Sequence, residues 1–573
     1  MANRKEGQVR GSAGIIWDTL SLALQRYSQT TWLVIDAVDE CAFPDITDHQ
    51  EHPQALSDFI ERLHRLVQES GTKLLVLSRP SVWGMNNLVS KYQVPSIRIT
   101  TDMVRQGLQQ YCLSNLQELI RQDLIPRQLP VSLEDLIKTL LVGADGMFLW
   151  ARLMFSYLRS PVIAPPHLAQ IVRLRHIESL RYPESLDRMY CRILNLVSKT
   201  NSYQRNLARK VFMWIIFRKS DEFSAIQLHD VLTASFREDD GNSLSLESAR
   251  SYNCLSNFSS FDESIILSCA SLVELYKTRT TWHYHFIHKS ATEFFTERFK
   301  SSAHGIQQKL EPSVHDFFFQ CPAEVEMELA AACANYLRLQ IVPRPLSPDT
   351  LNTAGKDQPL SFKQLEIERL NLKSRTSQKH PFLEYACAYW TTHLRHVYSN
   401  QTCSHSTFWF NLDIVVNSFN NFLNARFSVM TWIEALYLLV APKLISQQVP
   451  DLSYCASASA VANPPAHISE RHETFVANLS DLSDDLRRLD HEWGVSLRIA
   501  PDQIWKDITA FLNSRFLQKT SAVHISSMAG DAPVHEAQSQ QPLSTISSSN
   551  ISQDCLAKLS VWPSRLVPGP LEH

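Results

Sequence analysis

Along the first hundred residues the apolar positions change period twice. Ile15, Ile16, Leu22 and Ala23, with Thr19 among them, recur at helical spacing and predict a helix over 15–27. Trp32 to Ile35 then form a continuous apolar run that opens onto Asp36, in the stretch TWLVIDAVDEC (31–41). A run this short, ending on an acid, predicts a buried parallel strand with a carboxylate at its C-terminal edge. Leu56, Phe59, Ile60, Leu63, Leu66 and Val67 share one face of a helix over 55–69, which Gly71 ends. A second apolar run follows in KLLVLSRP (73–80), closed by Ser78, Arg79 and Pro80. Strand, helix, strand in this order predicts a βαβ unit. The alternating segment VPSIRIT (94–100) predicts one more strand, and 102–119 a helix.

Beyond residue 140 helical spacing dominates. GADGMFLWARLMFSYL (143–158) predicts a helix with a dense aromatic face, and helices follow over 206–217, 223–232 and 325–339. In PFLEYACAYWTTHLRHV (381–397), Phe382, Tyr385, Ala386, Tyr389, Trp390 and His393 form one heavy stripe. Further helices are predicted within 408–441 and 476–516, parted by the Ala/Ser/Pro stretch 450–468. Residues 341–380 have the composition of a linker. Residues 1–14 and the Ser/Gln/Pro-rich 520–573 are expected to be disordered.

The composition narrows the class. A chain of 573 residues with 44% hydrophobic and 20% charged content has material for about three or four domains. Only 14 glycines leave few tight turns or phosphate-cradling loops, so the bulk should be helical. A net charge of −3 makes no electrostatic case for nucleic acid or an acidic membrane surface. The 11 cysteines are scattered without a C-x-x-C pair, which favours reduced thiols over a disulfide frame or a zinc site. The polar N-terminus has no apolar signal region. No apolar run approaches the ~18–20 residues of a membrane helix. The strongest, Met147–Leu158, is short and broken by Arg152. A soluble, cytoplasmic protein is expected.

Asp36 is the first candidate for chemistry. At the C-terminal edge of a parallel strand, where open α/β sheets bind ligands, a carboxylate can hold Mg²⁺ through water beside a substrate phosphate. The plainer reading is a buried strand ending in an acidic loop. His283 and His285 share one face of a strand, and His288 lies close by, but no fourth ligand at metal spacing accompanies them. A hydrolase built on Ser290 and His288 lacks the G-x-S-x-G elbow.

TWLVIDAVDEC resembles the Walker B strand of NACHT-type NTPases of the STAND class, with four apolar residues, Asp, two small or apolar residues and then Asp-Glu. KLLVLSRP resembles their sensor-1 strand, and Gly146, Phe148, Leu149, Trp150, Ala151 and Leu153 match the G-x-F-L-W-A-x-L segment of fungal members. PESLDRMYCRIL (183–194) resembles another helix of the family. VFMWIIF, FSAIQLHDVL, CASLVE and YHFIHKSATEFF (within 211–295) resemble the winged-helix domain that follows NACHT, His288 standing at its structural H-x-S motif.

The resemblance covers about residues 15–300 and implies an α/β plus α fold: a partial P-loop NTPase-like parallel sheet, a helical domain, a winged helix and a helical C-terminal region. In boundaries, these are 15–125, 126–200 and 201–300, then a helical 301–340, the linker 341–380, the helical region 381–519 and the tail. It implies Asp36 as the Mg²⁺ ligand through water, and Asp39 and Glu40 as the catalytic acids that orient an attacking water. It also implies Ser78 and Arg79 at the nucleotide phosphates of Mg-ATP or Mg-GTP. The family's P-loop, G-x-x-x-x-G-K-[ST], is not in the chain. Either the chain is an N-terminally truncated copy or the domain has lost its phosphate site. The expectation is a signalling or scaffold protein in a fungal incompatibility or defence-like setting that does not hydrolyse nucleotide. It would act through protein partners or self-assembly, without nucleic acid or membrane. An NTPase switch whose P-loop lies outside this sequence is the alternative, and a ligand-free helical adaptor is the third.

Overall fold

In the computed structural model, residues 13–26, 31–38, 52–78, 93–164, 167–239, 258–278, 281–300, 317, 321–346, 362–399, 406–461, 466–505 and 514–517 are described. Helix α1 (Ala13–Arg26) and strand β1 (Trp32–Ile35) lead through α2 (His52–Ser70) into β2 (Lys73–Val76). The strands pair in parallel, Trp32 opposite Lys73 and Ile35 opposite Val76. Parallel neighbours need a crossover, and α2 provides it, burying Ile60, Leu63 and Leu66. It stops at Gly71, whose φ of +66° a glycine adopts without a Cβ clash.

Burial departs from the expectation for these strands. Leu33, Ile35, Leu74 and Val76 are half-buried, while Trp32 is 59% exposed, Val34 57% and Leu75 46%. A continuous apolar run predicts cover on both faces; the described helical layer, α2 with α1 against it, covers one. Segment 94–100 is not a strand either. It pairs with nothing among the described residues, and Ile97 and Ile99 point into solvent. Pro95 removes a backbone donor from the ladder this short segment would need.

Five helices follow: α3 (Thr101–Arg121), α4 (Leu133–Ala144), α5 (Phe148–Arg159), α6 (Ala169–Glu178) and α7 (Leu186–Ser198). Ser132 caps α4 by accepting from the Asp135 N–H at 3.1 Å. The aromatic helix owes its two glycines to space and to backbone. A Cβ on Gly143 would sit 2.8 Å from the Trp150 ring, and Gly146 turns the chain into α5 at φ +82°. Trp150, Leu153, Met154, Phe155 and Leu158 are buried, so the aromatic face is packing.

Helices α8 (Ser202–Phe217), α9 (Ala225–Asp239) and α10 (Phe258–Ser268) precede an antiparallel hairpin, β3 (Val273–Lys277) with β4 (Trp282–Phe286), and then α11 (Lys289–Lys300). The chain continues in α12 (Pro322–Asn335), which runs into a π-helical turn, Tyr336–Gln340. Phe362–Lys379, inside the span read as a linker, is helix α13. Its Lys, Glu, Gln and Ser content resembles a linker, yet Lys, Glu and Gln are good helix formers.

Helices α14 (Leu383–Ser399), α15 (Ser406–Asn424), α16 (Arg426–Leu439), α17 (Pro442–Val461) and α18 (Ala466–Ile499) complete the helical module. Its core is aromatic: Trp390 lies 5.1 Å from Phe419 and 5.5 Å from Trp432, centroid to centroid. The 34 residues of α18 span about 50 Å at 1.5 Å per residue. Among the described residues no helix is long and apolar enough to cross a membrane.

Candidate functional site

The parallel ladder brings the C-terminal ends of β1 and β2 side by side. Leu77 N–H donates to Ile35 O at 2.9 Å, and Val38 N–H returns to Leu77 O at 3.2 Å. Ala37, at φ +56°, bends the chain immediately after Asp36. The alternation places Asp36 on the exposed face with Trp32 and Val34, while Ser78 is half-buried one strand away. Both lie at the C-terminal end of the sheet, but on opposite faces, because Asp36 is level with Leu77 rather than with Ser78. Asp39, Glu40 and Arg79 lie outside the described residues.

One carboxylate at a strand edge fits the role of a Mg²⁺ ligand acting through water, because that ion takes the rest of its shell from water and phosphate. A nucleotide also needs backbone N–H groups around its phosphates. The described glycines are Gly71, Gly107, Gly143, Gly146 and Gly494. Gly71 precedes β2 and the others lie in or between helices, so none opens a cradle after a strand. No group of three His, Cys, Asp or Glu among the described residues is placed to hold a metal ion.

The three histidines of the hairpin have ordinary partners. His283 Nδ1 donates to Phe223 O at 3.0 Å, which leaves Nε2 to accept from Thr281 Oγ1 at 2.6 Å. His285 Nδ1 donates to Phe286 O at 2.7 Å. His288 caps α11: its Nδ1 accepts from Ser290 N at 3.1 Å and from Ser290 Oγ at 2.8 Å. Ser290 Oγ in turn accepts from the Tyr190 hydroxyl at 2.8 Å, tying α11 to α7. The Ser-His contact is a helix cap braced by a tyrosine.

A second polar cluster joins the connection between α8 and α9 to helices α12 and α14. Lys219, in the connection between α8 and α9, donates its backbone N–H to Tyr385 Oη at 3.0 Å and its ammonium to Glu326 Oε1 at 2.6 Å. His393 bridges the other ends, with Nδ1 2.6 Å from Glu326 Oε2 and Nε2 2.9 Å from Tyr385 Oη. Burial works against the Glu326 charge, yet His393 and Lys219 together hold its carboxyl below the usual range. Burial likewise pushes His393 down against the pull of Glu326. Around the ring pack Trp214, Phe223 and Phe382, with Phe223 stacked on Trp214 at 5.3 Å. Asp230 adds to the joint, accepting from the Tyr336 hydroxyl and from Phe382 N–H. The spacing of 381–397 places His393 within the apolar stripe, and that was the one legible signal. Lys219 and Glu326 lie far from His393 in sequence, Glu326 67 residues away, on elements whose approach no periodicity reveals.

Comparison of the chain with protein-family models, with curated proteins and with solved structures found no match.

Proposed function

We propose that this chain is a NACHT-like, STAND-type signalling or scaffold protein that acts through protein partners or copies of itself rather than by hydrolysing nucleotide. The reading rests on the motif resemblance. The observation that supports it is the parallel pair β1–β2, which sets the Walker-B-like and sensor-1-like runs side by side with a crossover helix between them. The order of α8–α10, the hairpin and α11 suits the winged helix that the resemblance implies. On this reading the protein works in the cytoplasm, and the helical module presents the binding surfaces.

Titration calorimetry of the full chain with Mg-ATP and Mg-GTP is expected to show no saturable binding tighter than about 1 mM, roughly −4 kcal/mol. Light scattering should then show one defined assembly or a stoichiometric complex with a partner. Saturable, Mg²⁺-dependent binding that Asp36→Asn weakens at least about tenfold would overturn this reading in favour of the nucleotide switch, with Asp39, Glu40 and Arg79 as the next residues to vary.

A further inference from the structure

Each hydrogen in the Lys219–Tyr385–His393–Glu326 ring has one place. A carboxylate only accepts, so His393 Nδ1–H donates to Glu326. Lys219 N–H occupies one lone pair of Tyr385 Oη, and the tyrosine's own hydrogen goes to His393 Nε2. The pattern requires a neutral imidazole. With Lys219 charged and Glu326 ionised, the ring is then neutral overall.

A second proton on His393 breaks this arrangement in two ways. Nε2–H would face the Tyr385 hydroxyl, whose hydrogen would have to turn toward Trp214, Phe223 and Phe382, leaving a buried donor without an acceptor. The ring would also carry a net positive charge where water does not reach, since His393 is 0% exposed and Tyr385 2%.

The groups facing the imidazole come from every element packed on it. They are Glu326 from α12, Lys219 from the α8–α9 connection, and Tyr385 and His396 from its own helix. Behind α14, α17 brings Asp451, which Arg395 holds at 2.9 Å. Glu326 is already shared with Lys219, so no second carboxylate in this set is placed to take the new charge.

We propose that this ring is an acid-released latch between the α8–α9 connection and helices α12 and α14: protonation of His393 unseats the 218–223 connection from the aromatic stripe of α14. The device is independent of nucleotide binding and goes beyond the proposed function. A histidine that resists protonation when buried costs the closed form nothing above the free imidazole pKa of about 6.5. Below it the open form takes the proton first, and closure weakens as pH falls. One unit below, at pH 5.5, a single such proton favours opening by up to about tenfold.

Hydrogen exchange of the full chain, read by mass spectrometry at pH 7.5 and 5.5 and corrected for intrinsic chemical exchange, tests this. Peptides spanning 215–223, which include the Lys219 amide bonded to Tyr385, and 382–396 should open about tenfold more at pH 5.5. A peptide over 133–150, which contains no histidine, should not change. His393→Gln offers a comparable donor and acceptor without titrating, and should abolish the difference. Equal protection of the ring peptides at both pH values in the natural chain, or the same acid opening in His393→Gln, overturns the proposal. If His393→Gln fails to fold at pH 7.5, as judged by circular dichroism, Tyr385→Phe replaces it. This variant removes the hydrogen that has nowhere to turn, so a smaller acid effect is expected, and an undiminished one overturns the latch.

Discussion

Arg173 shows how much one side chain holds at the residue scale. Its guanidinium is buried and donates to the carbonyls of Leu158 at 2.5 Å, Ser160 at 3.1 Å and Leu124 at 3.4 Å. Leu158 and Ser160 sit at the C-terminal end of α5, where the helix dipole favours a cation. Removing the fork leaves these acceptors buried and unbonded, so Arg173→Ala should cost about 2–3 kcal/mol, read as a shift in the urea unfolding curve. Arg173→Lys should recover less than half, because an ammonium cannot span carbonyls as a planar fork does. Gly143 makes the opposite point, that absence of a side chain can be a packing requirement. With Trp150 at 2.8 Å and Leu180 at 3.2 Å from the missing Cβ, Gly143→Ala should destabilise by about 1–3 kcal/mol and lower the melting temperature.

Elements here carry departures from their own rules. Helix α17 holds Pro450 in its interior, so the Ser446 carbonyl receives no N–H from that position. Ser446 and Pro450 border a cleft of about 330 Å³, lined also by Tyr437, Leu486 and Asp490, from which water can reach that carbonyl. Pro450→Ala should restore the bond and stabilise the helical module by about 1–3 kcal/mol, measured as a higher unfolding midpoint. The sheet departs in another way. Parallel strands are ordinarily covered on both faces, and a two-stranded sheet alone is marginal. The exposed Trp32, Val34 and Leu75 therefore form an apolar surface prone to association. Replacing Trp32 and Leu75 by Ser should reduce concentration-dependent light scattering of the full chain while moving its unfolding midpoint little.

For the whole molecule, acid is the shared weakness. Burial lowers the pKa of His176, His380, His393, His396 and His472. The sign follows from the unfolded chain, where each imidazole titrates near 6.5. As pH falls below that value the unfolded state binds protons first, so stability present at pH 7 and above is lost. The loss is up to about 1.4 kcal/mol per pH unit for each histidine, until its folded pKa is reached. Glu384 and Asp485, raised by burial, act in the opposite sense, because the folded chain takes up these protons before the unfolded one does. The melting temperature should thus fall from pH 7.5 to 5.5, and a flat or rising profile would contradict the buried, neutral histidines.

What the sequence determined by itself is local. A period of 3.6 or a short apolar run needs only neighbours along the chain, so α1, α2, β1, β2, the Trp150 helix and the stripe of α14 were legible, as was the turn at Gly71. The parallel pairing of the two apolar runs was also legible, because a crossover helix between them leaves few arrangements open. Tertiary structure alone decided what covers each apolar surface. It left one face of β1–β2 open, kept 94–100 out of the sheet and drew a polar helix, α13, from a linker-like composition. It also set the α8–α9 connection onto the α14 stripe, where Lys219 and Glu326 meet His393. Such contacts join residues far apart in sequence, and their energy depends on burial and hydrogen-bond geometry, which exist only once the chain has packed.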